Sequence, residues 1–324
     1  MDKSQYEKYL GDRWHINISK NEGVRIVDGQ LVLKNGDKKV PIVNSIPRFV
    51  ERENYADNFG LQWNKFRSTQ LDSYMGKPVT ADRFWKNTKW APAEIKGKAM
   101  LEAGSGAGRF TEIMLGAGAK LASFDYSNAV EANFKNNAHK GDLFLFQGDL
   151  FDIPFDDKQF DFVFCYGVLQ HTPDPEKAFY AIEKKLKPGG KISIDVYHKD
   201  GKIRPWKSKY IWRPITTKID PQKLLKFLKY FIPVWLPFDT AIKLIPVLRN
   251  YLGAVIPCWN YFYMDLSLKE KVEWAVMDTF DVLAAKYDIP MTMADVDRWF
   301  KNCGYTNYEV FEGSNGIVGN GIKP

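Results

Sequence analysis

Between residues 98 and 197, short apolar runs alternate with segments of helical period. "KAMLEAG", "LASFDYS", "DLFLFQGDL", "FDFVFCYGVLQ" and "KISIDVY" read as strands. Helices are expected between them over 109–117, 128–138 and 174–186, the last stopped by "KPGG" because Pro cannot continue a helix and Gly accepts the left-handed cap. Apolar runs this short, separated by helices, call for a parallel sheet covered on both faces. Further on, "TMADVDRWFKNCG" starts on a Thr292–Asp295 capping box and stops at Gly304. "NYEVF" and "GIVGNGI" can then form a terminal antiparallel pair.

The expected fold is therefore α/β: a Rossmann-like, seven-stranded, mostly parallel sheet with a small N-terminal β-rich extension and a helical insertion after strand 5. Residues 1–50 form the extension, since "GVRIVDGQLVLKNGDKKVPIVNSIPRFV" places β-branched runs between Asp-Gly and Asn-Gly turns. Residues 51–96 read as a helical linker or lid, 97–198 with 267–324 as the core, and 199–266 as the insertion. "PQKLLKFLKYF" is a basic amphipathic helix, followed by an apolar stretch broken by Pro. Net charge is +7, and residues 198–249 alone carry +9, leaving −2 for the remainder. The basic excess is one local surface. Three scattered cysteines without a CxxC pair argue against a disulfide framework, and no metal site is expected. With no apolar leader and no long apolar run, a cytoplasmic chain is expected. Contact with the inner face of a membrane through 199–266 stays open.

Within this pattern "LEAGSGAGRF" (101–110) puts Gly104, Gly106 and Gly108 at the carboxyl end of the first strand, where doubly wound sheets hold ligands. The spacing is G-x-G-x-G, unlike the G-x-G-x-x-G of a pyrophosphate turn. Glu102 precedes it, and a carboxylate there repels phosphate and attracts an amine. Asp125 ends the second strand, where a carboxylate can accept ribose hydroxyls, and Asp149 follows the third, within reach of an exocyclic amine. Three acids on one rim beside a glycine turn point to a cationic nucleoside.

These segments, together with "FDYS", "GDLFDIPF", "FDFVFCYGVLQHTPDP" and "LKPGGKISIDVY", resemble the class I S-adenosylmethionine-dependent methyltransferases, nearest to their type 11 small-molecule branch. The resemblance covers 97–198 closely and 267–324 loosely. It implies S-adenosyl-L-methionine as cofactor. Glu102, Gly104, Ser105, Gly106, Gly108 and Arg109 would meet its methionine part, and Asp125 its ribose. Tyr126, Ser127, Asp149 and Leu150 would meet its adenine side, and Gly167, Gln170 and His171 would line the opening toward the methyl group. "IPRFV" and "YADNFGLQWNKF" are similar to bacterial methyltransferases of surface-polysaccharide or secondary metabolism. Residues 13–50 resemble the zinc-ribbon partner proteins of tRNA methyltransferases, without their CxxC ligands, which implies a scaffold.

Transfer to oxygen or nitrogen generally needs a base, and His suits neutral pH. His171 is the leading candidate, with Tyr166, Tyr197 and His198 behind it; a loop-ordering role for His171 fits equally. Asp278, Asp281, Tyr287 and Asp288 read either as a helix-end capping cluster or as part of an acceptor pocket. Tyr55, Phe59, Trp63 and Phe66 have helical spacing and suit a core or a lid, the latter bringing Gln62, Gln70 and Arg83 to the cofactor's carboxylate. The basic insertion reads as an acceptor lid, a surface for anionic membrane, or a partner or oligomer surface. The acceptor expected is a small molecule: a sugar, a lipid-linked precursor or another metabolite. A nucleic-acid methyltransferase is the rival, disfavoured because no "NPPY"-type tetrapeptide follows the fourth strand and the basic residues alternate with apolar ones. A non-catalytic S-adenosylmethionine-binding protein is the third reading.

Overall fold

A computed structural model describes residues 2–51, 54–199, 208–251 and 255–324. The chain opens with helix α1 (Lys3–Leu10), which the sequence reading left out. A four-stranded antiparallel sheet follows: β1 (Trp14–Glu22), β2 (Arg25–Leu33), β3 (Lys39–Val43) and β4 (Ile46–Pro47). Helices α2 (Asp57–Lys65), α3 (Asp72–Met75), α4 (Val79–Thr88) and α5 (Pro92–Ile95) lead into the main sheet.

That sheet is built from β5 (Ala99–Ala103), α6 (Arg109–Gly116), β6 (Lys120–Asp125), α7 (Val130–Asn137), β7 (Asp142–Gln147), β8 (Phe160–Tyr166), α8 (Pro175–Glu183) and β9 (Leu186–Val196). Helices α9 (Ser208–Thr216), α10 (Pro221–Leu244), α11 (Pro246–Tyr251), α12 (Leu268–Ala284) and α13 (Met293–Asn302) precede the final strands, β10 (Asn307–Gly313) and β11 (Gly316–Ile322). The order across the sheet is β10–β11–β9–β8–β5–β6–β7. β5 to β9 pair in parallel, and β11 runs antiparallel to β9 and β10. The expected seven-stranded, mostly parallel sheet is present, with its antiparallel terminal pair. The chain reverses its direction of travel across the sheet at β5, and the crevice opens beyond that strand's carboxyl end.

Successive residues of β5 feed opposite cores. Leu101 and Ala103 join a cluster with Phe144, Phe146, Phe179 and Trp299, while Met100 joins Phe84, Leu121 and Phe164. Alternate side chains of a strand point to opposite faces, so a strand covered on both sides is apolar throughout. The N-terminal sheet is pinned to the β7 edge. Tyr9 stacks on Phe144 at 5.1 Å, Tyr6 meets the same ring edge-on at 5.6 Å, and the Phe49 N–H donates to the Gln147 carbonyl at 2.8 Å. These contacts cover a sheet edge that otherwise invites pairing with another chain.

Two local readings need correction. "KPGG" does not stop α8, which ends at Glu183; it lies inside the irregular start of β9, with Gly189 at φ 75°. α10 does not break in the Pro-rich stretch but runs through Pro233 and Pro237. Each proline removes an intrahelical hydrogen bond, and burial of Leu228, Ile232 and Leu236 in the cluster shared with α12 offsets the loss. Residues 200–207 and 252–254 of the expected insertion lie outside the described residues. Among the described residues no helix is long and apolar enough to cross a membrane.

Tyr6 is 1% exposed and holds the N-terminal helix to the β7 edge. Tyr6→Ala is expected to lower stability by about 3–5 kcal/mol, the usual cost of removing a buried aromatic ring. A urea melt followed by fluorescence and circular dichroism measures it.

Candidate functional site

The turn after β5 is held from beneath by β6. The Gly104 and Ser105 N–H groups both donate to the Phe124 carbonyl, at 2.8 and 2.9 Å. The Gly106 N–H donates to Asp125 Oδ2 at 2.9 Å. Asp125 Oδ1 accepts from the Ser127 N–H at 2.8 Å and the Ser127 hydroxyl at 2.7 Å. Burial raises the Asp125 pKa, and these donors pull it back toward ionisation. Gly106 has φ 54°, and a Cβ there would lie 3.1 Å from the Trp63 ring. The absence of a side chain leaves room between the turn and α2 for a ligand against bare backbone.

A cavity of about 770 Å³ opens above this turn. Gly104, Ser105, Gly106, Arg109, Asp125, Tyr126, Asp149, Leu150, Gly167 and His171 all line it, as do Tyr166, Tyr197 and His198. Four of the expected site residues do not. Glu102 lies within β5, so its side chain stands off the sheet face rather than at the strand tip. It accepts hydrogen bonds from the hydroxyls of Thr111 and Ser123, and burial pushes its pKa up to about 7. The expected rim of three acids is thus a rim of two, Asp125 and Asp149. Gly108 is a packing position, because a Cβ there would meet Asn133 Oδ1 at 2.1 Å. Ser127 acts through Asp125. Gln170 is sealed beneath the loop, and its carbonyl accepts from the Ile289 N–H at 2.9 Å.

Arg83 and Arg109 form a cationic corner of the cavity. Arg83 pairs with Asp195 at 2.5 Å, and the Gly167 N–H donates to the other oxygen of that carboxylate. Arg109 donates to Gln70 Oε1, and burial followed by the charge of Arg83 lowers its pKa to about 10. Asp195 pairs directly with Arg83, and Asp278 also acts on Arg109 from nearby; the exposed donors of the two guanidinium groups suit an anionic ligand group.

His171 Nδ1 lies 2.9 Å from the Tyr287 carbonyl oxygen. A carbonyl only accepts, so Nδ1 carries the hydrogen and Nε2 keeps its lone pair. The ring is 8% exposed, and burial moves its pKa below the ordinary 6.5. It meets Tyr197 edge-on at 5.3 Å and Phe59 at 5.1 Å.

α12 supplies two acids that the sequence placed less firmly. Asp278 and Asp281 lie inside the helix and line the cavity, so the helix-end capping reading fails for them. Tyr261 donates to Asp278. Burial raises Asp278 to about 7 and Asp281 to about 6. Asp288 instead pairs with Lys209 at 2.9 Å. Tyr55, Phe59, Trp63 and Phe66 all face the cavity, which favours a lid over a plain core, and Gln62 and Gln70 line it beside them. Of the insertion, α10 stays off the cavity; Trp259, Tyr261, Tyr263 and Met264, in the loop before α12, reach it. These four were missed as site residues. Their signal was a dense "WNYFYM" run with polar ring tips between two helices.

Residues 101–194 match the family Methyltransf_11, described as a methyltransferase domain. Residues 101–194 thus carry the sequence pattern of a methyltransferase domain. The chain is 35% identical over 104 residues to a tRNA U34 carboxymethyltransferase of Nautilia profundicola, covering 31% of this chain and 35% of that one. It is similar to the chloroplastic 2-phytyl-1,4-beta-naphthoquinone methyltransferase of Arabidopsis thaliana (28% over 166 residues; 46% and 63%). The Ubiquinone biosynthesis O-methyltransferase of Coxiella burnetii is also similar (30% over 110 residues; 33% and 47%). The match spans less than two thirds of each relative's own length.

Glu102, Asp278 and Asp281 together set a pH dependence of stability. Their folded pKa values lie above the unfolded carboxylate value, so the folded state holds extra protons in between, and stability falls as pH rises through about 6 to 7. The melting temperature is expected to drop between about pH 5 and about pH 8, and the double variant Asp278→Asn/Asp281→Asn is expected to lessen that drop, leaving the part due to Glu102. Differential scanning fluorimetry across a pH series checks both.

Proposed function

We propose that this chain transfers a methyl group from S-adenosylmethionine to a small-molecule acceptor such as a sugar, a lipid-linked precursor or another metabolite. The observation carrying this reading is a single cavity that gathers bare glycine backbone, Asp125, Asp149 and the Arg83–Arg109 corner together with His171, Tyr197, Asp281 and the aromatic loop before α12.

The glycine turn and the residues around it suit the cofactor by their donor set. Asp125 offers lone pairs to hydroxyls, the arginines face a carboxylate, and Asp149, Leu150 and Tyr126 give an acid and flat apolar walls for a base ring. When bound, S-adenosylmethionine supplies a methyl carbon activated by its sulfonium. The chain's own work is alignment and exclusion of water, and alignment alone is worth roughly 7–11 kcal/mol of a bimolecular barrier. Phe59, Trp63, Trp259 and Tyr261 wall the space with rings. His171 is neutral at pH 7, with Nδ1–H fixed on the Tyr287 carbonyl, so Nε2 is the atom to take a proton from an acceptor hydroxyl or amine. The enclosing wall and the acids Asp278 and Asp281 support a small acceptor over a polyanion such as RNA, which a cationic groove would suit better.

Asp125→Ala is expected to raise the S-adenosylmethionine dissociation constant by roughly ten- to a hundredfold, since it removes a charged acceptor and loosens the Gly106 turn. Isothermal titration measures this without knowledge of the acceptor. His171→Gln is expected to leave that constant within about threefold and to lower kcat by roughly 10²–10⁴ once an acceptor is found by labelled-methyl transfer to a metabolite panel. In the unsubstituted chain kcat/KM should hold level at neutral pH and above and fall only on acidification past the ordinary imidazole range, as the buried ring gains a proton. An unchanged kcat in His171→Gln would assign His171 to loop ordering.

A further inference from the structure

α10 is apolar on two opposite faces, and only one is covered. Leu224, Leu225, Leu228, Ile232 and Leu236 are buried against α12. On the far side Phe227, Tyr230, Val234 and Phe238 are between 58% and 72% exposed, and Leu244 and Val247 extend the apolar surface into α11 at 64% and 66%. At 100° per residue, positions 227, 230, 234, 238, 241 and 245 share one narrow stripe. It is about 27 Å long at 1.5 Å per residue. Phe227 and Phe231 stack at 5.3 Å, and Phe231 and Trp235 at 6.1 Å, giving the stripe a stiff aromatic edge. α9 adds Ile211, Ile215 and Ile219, which are also exposed.

The charges around this face select its occupant. Residues 208–251 hold eight Lys/Arg and two Asp. Asp239 is buried against Lys243 and Asn260, Lys209 pairs with Asp288, and Asp220 is exposed where it caps α10, so the exposed balance of this face stays basic. Lys223, at the head of the stripe, and Lys226, on its flank, are exposed. A second copy docked face to face would set two such basic segments against each other, because a twofold interface is self-complementary. An anionic lipid surface matches both properties, burying the rings at the headgroup boundary and pairing the lysines with phosphates.

We infer that α10, with α11 and the exposed side of α9, docks this chain in the plane of an anionic bilayer. The loop that continues from α11 carries Trp259, Tyr261, Tyr263 and Met264 to the cavity wall. The docked face and this part of the cavity wall thus belong to one segment. Docking itself does not rest on the methyl-transfer reading.

The test is sedimentation of the full chain, without cofactor, with vesicles of phosphatidylcholine alone or with about 30% phosphatidylglycerol. Anionic lipid should raise the partition coefficient at least about tenfold, since each basic residue near such a surface is worth about fivefold, and added salt should reverse much of the gain. Phe227→Asp/Val234→Asp/Phe238→Asp should abolish binding with an unchanged melting temperature, because these side chains support no core. Lys223→Glu/Lys226→Glu should remove most of the difference between the two lipids. Equal binding to both vesicle types overturns the anionic assignment, and no binding to either overturns docking. A concentration-dependent dimer in analytical ultracentrifugation that the aspartate variant dissolves, without vesicle binding, would give the face to a second copy.

Discussion

Everything at the site depends on how the glycine turn is fastened to the second strand. Three consecutive turn N–H groups are spent on β6: Gly104 and Ser105 on the Phe124 carbonyl and Gly106 on the Asp125 carboxylate. Without those acceptors the turn would carry buried, unpaired donors, each costing on the order of 1–3 kcal/mol. With them, the backbone that faces the cavity is fixed before any ligand arrives. The same bonds fix Asp125, whose second oxygen is held by Ser127. Turn and acid are thus one rigid unit, and its placement at the reversal of strand order puts it at the mouth of the crevice.

The rest of the cavity is assembled around that unit from segments far apart in the chain. α2 lays Trp63 over Gly106, and α4 brings Arg83 to Asp195 at the end of β9. α12 contributes Asp278 and Asp281 because its other face is clamped by α10. A long hydrophobic helix on the outside of the molecule therefore sets the position of two acids on the inside. The exposed half of that helix lies outside the buried cluster that forms this clamp.

Much of this was readable from the sequence, for reasons that can be named. Apolar runs buried on both faces leave a continuous signature, so β5 to β9 stood out. Turn, Asp125, Asp149 and His171 follow from strand-end position alone. Glu102 misled because charge was weighed without the pleat: a residue two before the turn is still in the strand, and its side chain points along the sheet normal. α1 is short and only half apolar, so its period is faint. The aromatic loop at 259–264 and the acids of α12 meet the cavity through packing of α10, α12 and α2, and no local pattern encodes a contact made across more than 200 residues.

The charges inside the cavity follow one rule. Burial pushes each group toward its neutral form: Arg109 down to about 10, Asp278 up to about 7, Asp281 up to about 6 and His171 below 6.5. At neutral pH the cavity therefore holds an uncharged imidazole and acids poised between forms, with the Arg109 guanidinium close enough to act on both Asp278 and Asp281. The cation and the titratable acids are neighbours, so an anion held at the arginines and a proton held on the acids influence one another.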